Sequence, residues 1–344
     1  MRGRLLVNQV WGCRIGTGRP VDGRKAVVAS SDGRASLPEL AAALVQVGVA
    51  VRDHVRAGLG GAGDGVVVRS EGGDDIFGVD ARADQVLLAG MSALADRFPG
   101  TVVIEGHERP QPVGDPGGPW RYLVDPLDGT RPLLAGKRSA WVLIGAGREA
   151  ATLEELELSV VVEVPTRRSA VGLVAWADRH GRLEAFDHDL LGRALPTRAE
   201  LRPSTAEEVE HGFVTVVRFA PGFGAAIGAW SDRLLNGLTV FDDLVPCTAG
   251  QMLGLASGGD LAVFDPRPHL ARGSLAAHPY DLAGLWVARA AGALIEGLPA
   301  GPLNVPLDVD TPVAWQGFAN AAVAARLRVH DMHAPDQAGS RRPR

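Results

Sequence analysis

Apolar residues recur at three- and four-residue spacing near the start of the chain. They predict a helix from Leu37 to Ala57, and Ser36 stands directly before it as a candidate N-cap. A loop rich in glycine and aspartate follows at 58–65. A second helical pattern covers 84–97 and ends before a Phe-Pro-Gly turn. The pattern therefore predicts two helices before the first strand.

Short apolar runs typical of strands make up much of the remaining chain. The first two, at 101–106 and 120–126, each contain an acidic residue where the run ends, and a third lies at 139–147. Further strand candidates lie at 156–165, 168–177, 213–219 and 260–266, and helix candidates at 248–259 and 280–297, the last of which runs into a strand. Because strands and helices are mixed in both halves, we expect an α+β or layered α/β architecture.

The overall composition restricts the classes of function. Of the 344 residues, 46% are hydrophobic and 22% are charged, which is typical of a soluble globular protein. The formal net charge of −5 provides no basic field for nucleic acid or an anionic membrane. Cys13 and Cys247 are too few for a disulfide framework or a zinc site, and no apolar run approaches the roughly 20 residues of a membrane span. We therefore predict a cytoplasmic protein with neither a nucleic-acid nor a membrane partner.

Acidic residues stand at the ends of predicted strands and at predicted helix starts. They are Asp80, Glu105, the pair Asp125 and Asp128, and Asp281. Carboxylates in such places are costly to bury unless a cation meets them. All are oxygen donors and no cluster of His and Cys accompanies them, so they favour Mg²⁺ or Mn²⁺ over zinc. Any one of them could instead be a turn former or a helix N-cap, an alternative that is strongest for Asp281.

The segment from Asp125 to Thr130 combines a metal ligand set with an anion site. Pro126 stiffens the turn between the two aspartates, and the Leu127 carbonyl can point at the same ion. The chain then turns at Gly129, and a helix that begins there would offer free N–H groups to an anion beside the metal. This combination is suited to holding and hydrolysing a phosphate.

Four motifs in the same order resemble the inositol monophosphatase family. This family belongs to a lithium-sensitive, Mg²⁺-dependent phosphatase superfamily that also contains fructose-1,6-bisphosphatases. VDPLDGT at 124–130 resembles one signature, and HPYDLAGLWVARAAG at 278–292 resembles the second. Asp80 and Glu105 fit the upstream acidic positions, and 247–265 resembles the helix, glycine turn and strand before the last aspartate. The resemblance implies an αβαβα sandwich with two mixed sheets.

The chain divides into four predicted regions. A Gly- and Arg-rich arm at 1–24 precedes an α+β half at 25–150, which contains most of the candidate metal ligands. An α/β half at 151–333 would complete the site, and a polar tail at 334–344 is expected to be disordered.

Carried over by position, the resemblance implies a metal site. Glu105, Asp125 and the Leu127 carbonyl would hold one Mg²⁺, and Asp125, Asp128 and Asp281 would hold a second. The family implies two or three Mg²⁺ ions, with Mn²⁺ as a substitute.

The resemblance also implies catalytic and substrate-binding residues. Asp80 and Thr130 would orient and deprotonate the attacking water, with Glu105 as a further catalytic residue. Four residues would bind the substrate: Gly129, Thr130, Arg131 and Asp265. The implied substrate is a small phosphomonoester such as a sugar, cyclitol or similar metabolite phosphate, and the implied assembly is a homodimer.

Departures from the family leave alternatives open. The family usually has paired glutamates where this chain has Glu105 alone, so Glu108 is the alternative ligand. The first signature continues into Arg131, followed by Lys137 and Arg138, where the best-known members have an Asn-Phe pair. These basic residues could recognise a second acidic group or form a solvated surface. Two other functions also stay open: a nucleotide 3′-phosphatase of the same superfamily, and a catalytically silent binding or scaffold homologue.

Overall fold

The computed structural model describes residues 36–61, 63–71, 74–245 and 247–332. The arm predicted at 1–24 and the tail predicted at 334–344 lie outside these residues. The described helices are α1 (Leu37–Gly58), α2 (Gly78–Ser92), α3 (Thr130–Leu134), α4 (Gly224–Leu234), α5 (Thr248–Ala256), α6 (Arg267–Leu270), α7 (Leu285–Ala291) and α8 (Ala321–Leu327), with 3-10 turns at Leu153–Glu155 and Pro279–Leu282.

The strands form two large sheets and one hairpin. They are β1 (Val67–Glu71), β2 (Asp74–Phe77), β3 (Gly100–Ile104), β4 (Gln111–Val113), β5 (Trp120–Asp128), β6 (Ala140–Arg148), β7 (Leu158–Val164), β8 (Val171–Asp178), β9 (Leu183–Asp189), β10 (Thr197–Arg198), β11 (Val214–Val216), β12 (Ala262–Asp265), β13 (Leu294–Gly297) and β14 (Trp315–Phe318).

The first two helices lie close to where the apolar pattern predicts them. α1 confirms its prediction, and the Glu39 carboxylate accepts the Ser36 N–H at 3.0 Å at its start. α2 differs from the predicted 84–97 because it both begins and ends earlier. Its first turn is fixed by the Asp80 carboxylate, which accepts the Phe77 N–H at 2.8 Å. Phenylalanine is not a usual N-cap residue, which is why the sequence gives no signal for this start.

Both large sheets are mixed, as predicted. The eight-stranded sheet has the order β10-β9-β8-β7-β6-β5-β3-β4, in which β3 and β5 are parallel and the other neighbours are antiparallel. The four-stranded sheet has the order β11-β12-β14-β13, with β11 parallel to β12. The hairpin of β1 and β2 stands apart from both sheets, and it lies between α1 and α2, so the prediction of two helices before the first strand is wrong. Strands on either side of residue 150, β6 and β7, pair with each other, and the division of the chain at that residue remains a prediction.

Five layers result from how these elements bury their apolar faces. α1 and α2 cover one face of the eight-stranded sheet, and α5 and α7 fill the space between its other face and the four-stranded sheet. α4 and α8 cover the outer face of the four-stranded sheet. This is the αβαβα arrangement that the resemblance implies. Within the described ranges, no helix combines the length and apolar character needed to cross a membrane.

The close approach of α1 to the eight-stranded sheet gives a stability prediction. A Cβ atom at Gly48 would lie 2.7 Å from Cγ2 of Val162 on β7. We expect Gly48→Ala to lower the free energy of unfolding by about 1–3 kcal/mol, because overpacking forces side chains or backbone to shift. Gly228→Ala on α4 is the matched control, because nothing lies within 4 Å of its added Cβ. Gly228→Ala should instead raise the free energy of unfolding by about 0.5–1 kcal/mol. Urea unfolding measures both changes, and a change of the same sign in the two variants would contradict the packing argument.

Candidate active site

A cavity of about 460 Å³ opens where β3 and β5 end. It brings together nearly all of the predicted site residues: Asp80, Glu105, Asp125, Leu127, Asp128, Gly129, Thr130, Arg131 and Asp281. Glu105 directly follows β3 and lines the cavity, whereas the alternative ligand Glu108 is exposed and does not line it. The predicted residue that does not line the cavity is Asp265.

An irregular stretch at the end of β5 gives its two aspartates different environments. β5 pairs regularly with β6 up to Asp125, which lies opposite Leu143. The next pair is Asp128 opposite Trp141, so β5 advances by three residues where β6 advances by two. An extra residue of this kind bends the strand and redirects its side chains. The Asp125 carboxylate is 1% exposed and accepts the Leu127 N–H at 2.8 Å.

Two other elements meet the end of β5. The Asp128 carboxylate accepts the N–H of Ala249, in the first turn of α5, at 2.6 Å. Asp281 lies in the 3-10 turn at Pro279–Leu282, and its carboxylate accepts the His278 N–H at 2.6 Å. Contrary to the alternative interpretation, Asp281 is therefore not the N-cap of this turn, because His278 occupies that position; Asp281 lies at the third position and caps the His278 N–H. This capping role is compatible with metal binding, because one oxygen from each of Asp125, Asp128 and Asp281 lies within 4.8 Å of the others.

The electrostatics of this cluster fit a bound cation. Burial raises the pKa of Asp125 well above its usual value, and the nearby charges of Glu105, Asp128 and Asp281 raise it further. Burial and the charges of Asp128 and Glu105 raise the pKa of Asp281 in the same way, while Arg267 opposes the shift. Buried carboxylates this close cannot all ionise without a positive partner. Oxygen donors in such a cluster match the ligand preference of Mg²⁺, so the residues could hold the metal that the resemblance implies.

A hydrogen-bonded pair lies beside the cluster. Thr130 Oγ1 donates to Asp80 Oδ1 at 2.6 Å, and the Leu127 carbonyl oxygen lies 2.9 Å from the same hydroxyl. Gly129, between them, has φ +97°, and a Cβ there would lie 3.1 Å from Cβ of Cys247. Only glycine adopts this backbone conformation readily, so Gly129 allows the chain to turn from β5 into α3 with the hydroxyl facing Asp80.

The three basic residues after the first signature lie in different surroundings. The Arg131 guanidinium lies over the Phe77 ring, 5.4 Å from its centroid, and both residues line the cavity. Lys137 also lines the cavity and is exposed. Arg138 does not line it, and its guanidinium binds the Asp243 carboxylate at 2.5 Å.

Asp265 and Arg267 form an ion pair that the sequence analysis missed. The Asp265 side chain is fully buried, and its two oxygens accept Nε and Nη2 of Arg267 at 2.8 and 2.6 Å. Burial lowers the pKa of Arg267, but the bonds to Asp265 and the charges of Asp281 and Asp128 raise it overall. Arg267, and not Asp265, lines the cavity. The signal available in the sequence was an arginine two residues after Asp265.

Comparison with solved structures identifies the fold. Fructose-1,6-bisphosphatase from Leishmania major matches with a TM-score of 0.63 and 14% identity over 82% of this chain and 90% of that one. A hypothetical protein from Pyrococcus horikoshii with similarities to inositol-1 monophosphatase matches with a TM-score of 0.60 and 16% identity over 85% and 98%. The extragenic suppressor protein SuhB from Bartonella henselae matches with a TM-score of 0.59 and 14% identity over 84% of this chain and 96% of that one.

The chain therefore has the fold shared by inositol monophosphatases and fructose-1,6-bisphosphatases. No protein-family model and no curated protein sequence matches it. At these identities the structural likeness establishes the fold, and the function has to be argued from the site itself.

The raised pKa of Asp125 gives a prediction for the metal-free protein. A carboxyl whose folded pKa lies above its unfolded value contributes its full stability below the unfolded pKa of about 4, and that stability is lost as the pH rises through the folded value. We therefore expect the EDTA-treated protein to lose stability from about pH 4 towards neutrality. Asp125→Asn should be more stable than the wild type at pH 7, by about 1.4 kcal/mol for each unit of raised pKa. Added Mg²⁺ should restore the stability of the wild type near neutral pH.

Thermal melting between pH 4 and 8, with EDTA or with Mg²⁺, measures this effect. Asp232→Asn on the exposed side of α4 is the control and should follow the wild type. Parallel pH profiles for the wild type and Asp125→Asn in EDTA would show that Asp125 is not a destabilised carboxylate.

Proposed function

We propose that this protein is a Mg²⁺-dependent phosphatase of the inositol monophosphatase superfamily that hydrolyses a small phosphomonoester. The observation that carries the proposal is the buried cluster of Asp125, Asp128 and Asp281, which shares a cavity with the hydrogen-bonded pair of Asp80 and Thr130. The likeness to structures of fructose-1,6-bisphosphatase supports it through the fold.

The proposed metal ligands are those predicted from the sequence. Glu105, Asp125 and the Leu127 carbonyl would hold one Mg²⁺, and Asp125, Asp128 and Asp281 would hold a second. The contact between the Leu127 carbonyl and the Thr130 hydroxyl supports this assignment, because it indicates that the carbonyl faces the same region. When bound, the metal supplies a Lewis acid that neutralises phosphoryl charge and makes water acidic near neutral pH.

Asp80 and Thr130 are proposed to activate the water. The Thr130 hydroxyl already donates to Asp80, so its oxygen is left to accept a proton from a water molecule on the cavity side. The other Asp80 oxygen accepts the Phe77 N–H, which holds the carboxylate in place. A proton leaving the water could therefore pass through the hydroxyl to Asp80 in the manner of general-base catalysis.

The substrate is proposed to lie between the acidic cluster and the basic side chains of Arg131 and Arg267. The N–H groups of Gly129 and Thr130 would meet its scissile phosphate, and Arg131 would contact the phosphate or a neighbouring group. Arg267 is a better candidate than Asp265 for the other side, because Asp265 is fully engaged by Arg267. The buried salt bridge holds the guanidinium at the cavity, and this fork is suited to an acidic or hydroxyl-bearing substrate group.

A nucleotide 3′-phosphatase is a second candidate that one observation favours. The cavity is also lined by Phe219, which is half exposed, and by Phe77. An exposed aromatic ring beside cationic side chains can stack on a base. A nucleoside 3′,5′-bisphosphate therefore belongs in the substrate panel beside sugar and cyclitol phosphates.

Phosphate release from this panel in the presence of Mg²⁺ tests the function. We expect Asp125→Asn and Asp281→Asn each to reduce the rate at least about 100-fold, because the ligands hold the ions that stabilise the transition-state charge. Glu108→Gln, an exposed acid three residues after Glu105, is the matched control and should keep the wild-type rate. EDTA should abolish release from the wild type.

Four outcomes separate the hypotheses. Release that is lost in both Asn variants supports the metal-dependent enzyme, and a preference for the nucleoside bisphosphate selects the second candidate. Folded wild-type protein that releases no phosphate from any member of the panel would favour the catalytically silent scaffold. Full activity in both Asn variants would reject the metal-site assignment.

Substrate recognition by Arg267 gives a kinetic prediction. Arg267→Lys keeps the charge beside Asp265 but loses the guanidinium fork. We expect KM to rise about tenfold, the effect of one lost charge-assisted hydrogen bond of about 1.5 kcal/mol, with kcat changed much less. Arg131→Ala should raise KM less, because Arg131 is exposed and solvent screens its charge. Wild-type KM in Arg267→Lys on the true substrate would remove Arg267 from recognition.

A further inference from the structure

A second cavity, of about 500 Å³, lies between the C-terminal half of α1 and the segment that joins β9 to β10. Its described lining residues are all different from those of the candidate active site, and they include Arg52, Asp53, Arg56, His188 and Asp189. We refer to it as the α1–β9 cleft. Nothing in the proposed phosphatase chemistry uses it.

The cleft contains a buried cation with an incomplete set of partners. The Arg52 side chain is 4% exposed, and its Nε donates to the Asp53 carboxylate at 2.8 Å. Asp53 is 60% exposed, so most of its charge is screened by solvent. Among the described residues, Nη1 of Arg52 has no hydrogen-bond partner although it is buried. A buried donor without a partner is unusual and costs about 1–3 kcal/mol, and more when the group is charged.

A second unpartnered nitrogen belongs to another residue that lines the cleft. Nε2 of His188, on β9, is also buried and has no hydrogen-bond partner among the described residues. Arg52 and His188 line the same cavity, and burial together with the charge of Arg52 lowers the pKa of His188 to about 4. The imidazole is therefore neutral at pH 7, and one of its nitrogens carries a proton to donate.

A further positive charge points to an anion as the missing partner. Arg56 lies one turn after Arg52, and burial and the Arg52 charge lower its pKa. Its guanidinium is fixed by bonds to the carbonyls of Pro165, Thr166 and Ser169. These carbonyls satisfy its donors, and the charges of Asp53 and Glu163 oppose the effect of Arg52 on its pKa, so two like charges stand at an i, i+4 spacing and share the acids around them.

The two acids of the cleft are already engaged. Asp53 accepts Nε of Arg52, as described above. The Asp189 carboxylate accepts the N–H groups of Leu191, Arg193 and Ala194 at 3.1, 2.7 and 2.9 Å, so it stabilises the turn that follows β9. A bound water could satisfy one nitrogen, but it would add no negative charge beside the buried guanidinium, which the exposed Asp53 carboxylate compensates only in part.

We propose that the α1–β9 cleft binds a small oxyanion, the phosphate or carboxylate group of a metabolite, with the Arg52 guanidinium as its main partner and His188 as a second donor. The guanidinium fork matches either group in a two-pronged arrangement. The site is separate from the phosphomonoester site and does not depend on the proposed function.

Equilibrium dialysis of metal-free protein against radiolabelled inorganic phosphate tests the site. In EDTA the acidic cluster of the candidate active site repels phosphate, so we expect the wild type to bind one equivalent, in the cleft. Arg52→Met should bind about tenfold more weakly or not at all, because an apolar side chain of similar length replaces the cation. Malonate in a parallel series distinguishes a carboxylate ligand from a phosphate ligand by which of the two competes better.

Two controls separate the cleft from the active site and from surface charge. Arg267→Lys alters the candidate active site and should still bind one equivalent of phosphate. Arg97→Met, which removes an exposed arginine, should do the same. Phosphate should also raise the melting temperature of the wild type and leave that of Arg52→Met unchanged, because a ligand stabilises the state that binds it. If Arg52→Met does not fold, the same measurements on His188→Leu test the proposal. We expect this variant to bind phosphate more weakly than the wild type.

The proposal is overturned if folded Arg52→Met, or His188→Leu where that variant decides, binds phosphate as tightly as the wild type. It is equally overturned if neither phosphate nor malonate binds the wild type at about 10 mM, or if the one bound equivalent is lost in Arg267→Lys.

Discussion

Mutual repulsion among buried carboxylates at the end of β5 is the constraint on which the site depends. Asp125, Asp128 and Asp281 would be driven apart or neutralised in an unconstrained chain, because each raises the cost of ionising its neighbours. Each is instead fixed by one backbone N–H group, from Leu127, Ala249 and His278 respectively. These donors come from β5 itself, from α5 and from the turn before α7, so the cluster exists only when three parts of the fold are assembled.

The middle helical layer performs that assembly. The turn that carries Asp281 is anchored on the eight-stranded sheet, where Ser159 Oγ on β7 donates to the Ala283 carbonyl at 2.6 Å. A Cβ at Gly284 would lie 2.7 Å from Cγ1 of Val161, so the start of α7 lies nearly in contact with the strand. Packing this close leaves little freedom to relax. The stability of the apolar layers therefore offsets the electrostatic cost of keeping the acids together in the absence of a cation.

The parts of this arrangement that depend on local pattern could be predicted from the sequence. α1, the strand before Asp125 and the choice of Glu105 as a strand-end acid all follow from periodicity and position. β14 could not be predicted, because four residues acquire strand character only by pairing with β12 and β13 from distant parts of the chain. The role of Arg267 depends on an ion pair that spacing alone does not specify. The burial of Arg52 did have a signal, since it lies one turn after Gly48 on the face of α1 that packs against the sheet.

The two buried arginines show how the same side chain can have a structural or a binding role. Arg267 meets a fully buried carboxylate in a two-pronged geometry, so its charge is compensated within the fold and its position at the cavity is fixed. Arg52 meets a solvent-screened carboxylate through one nitrogen, so its compensation is incomplete. A compensated arginine beside the acidic cluster can orient a substrate group without drawing an anion into the metal-free site. An arginine whose charge is compensated only in part, in a separate cleft, is instead suited to bind an anion. Burial alone does not distinguish these roles; what distinguishes them is whether the partner carboxylate is buried as well.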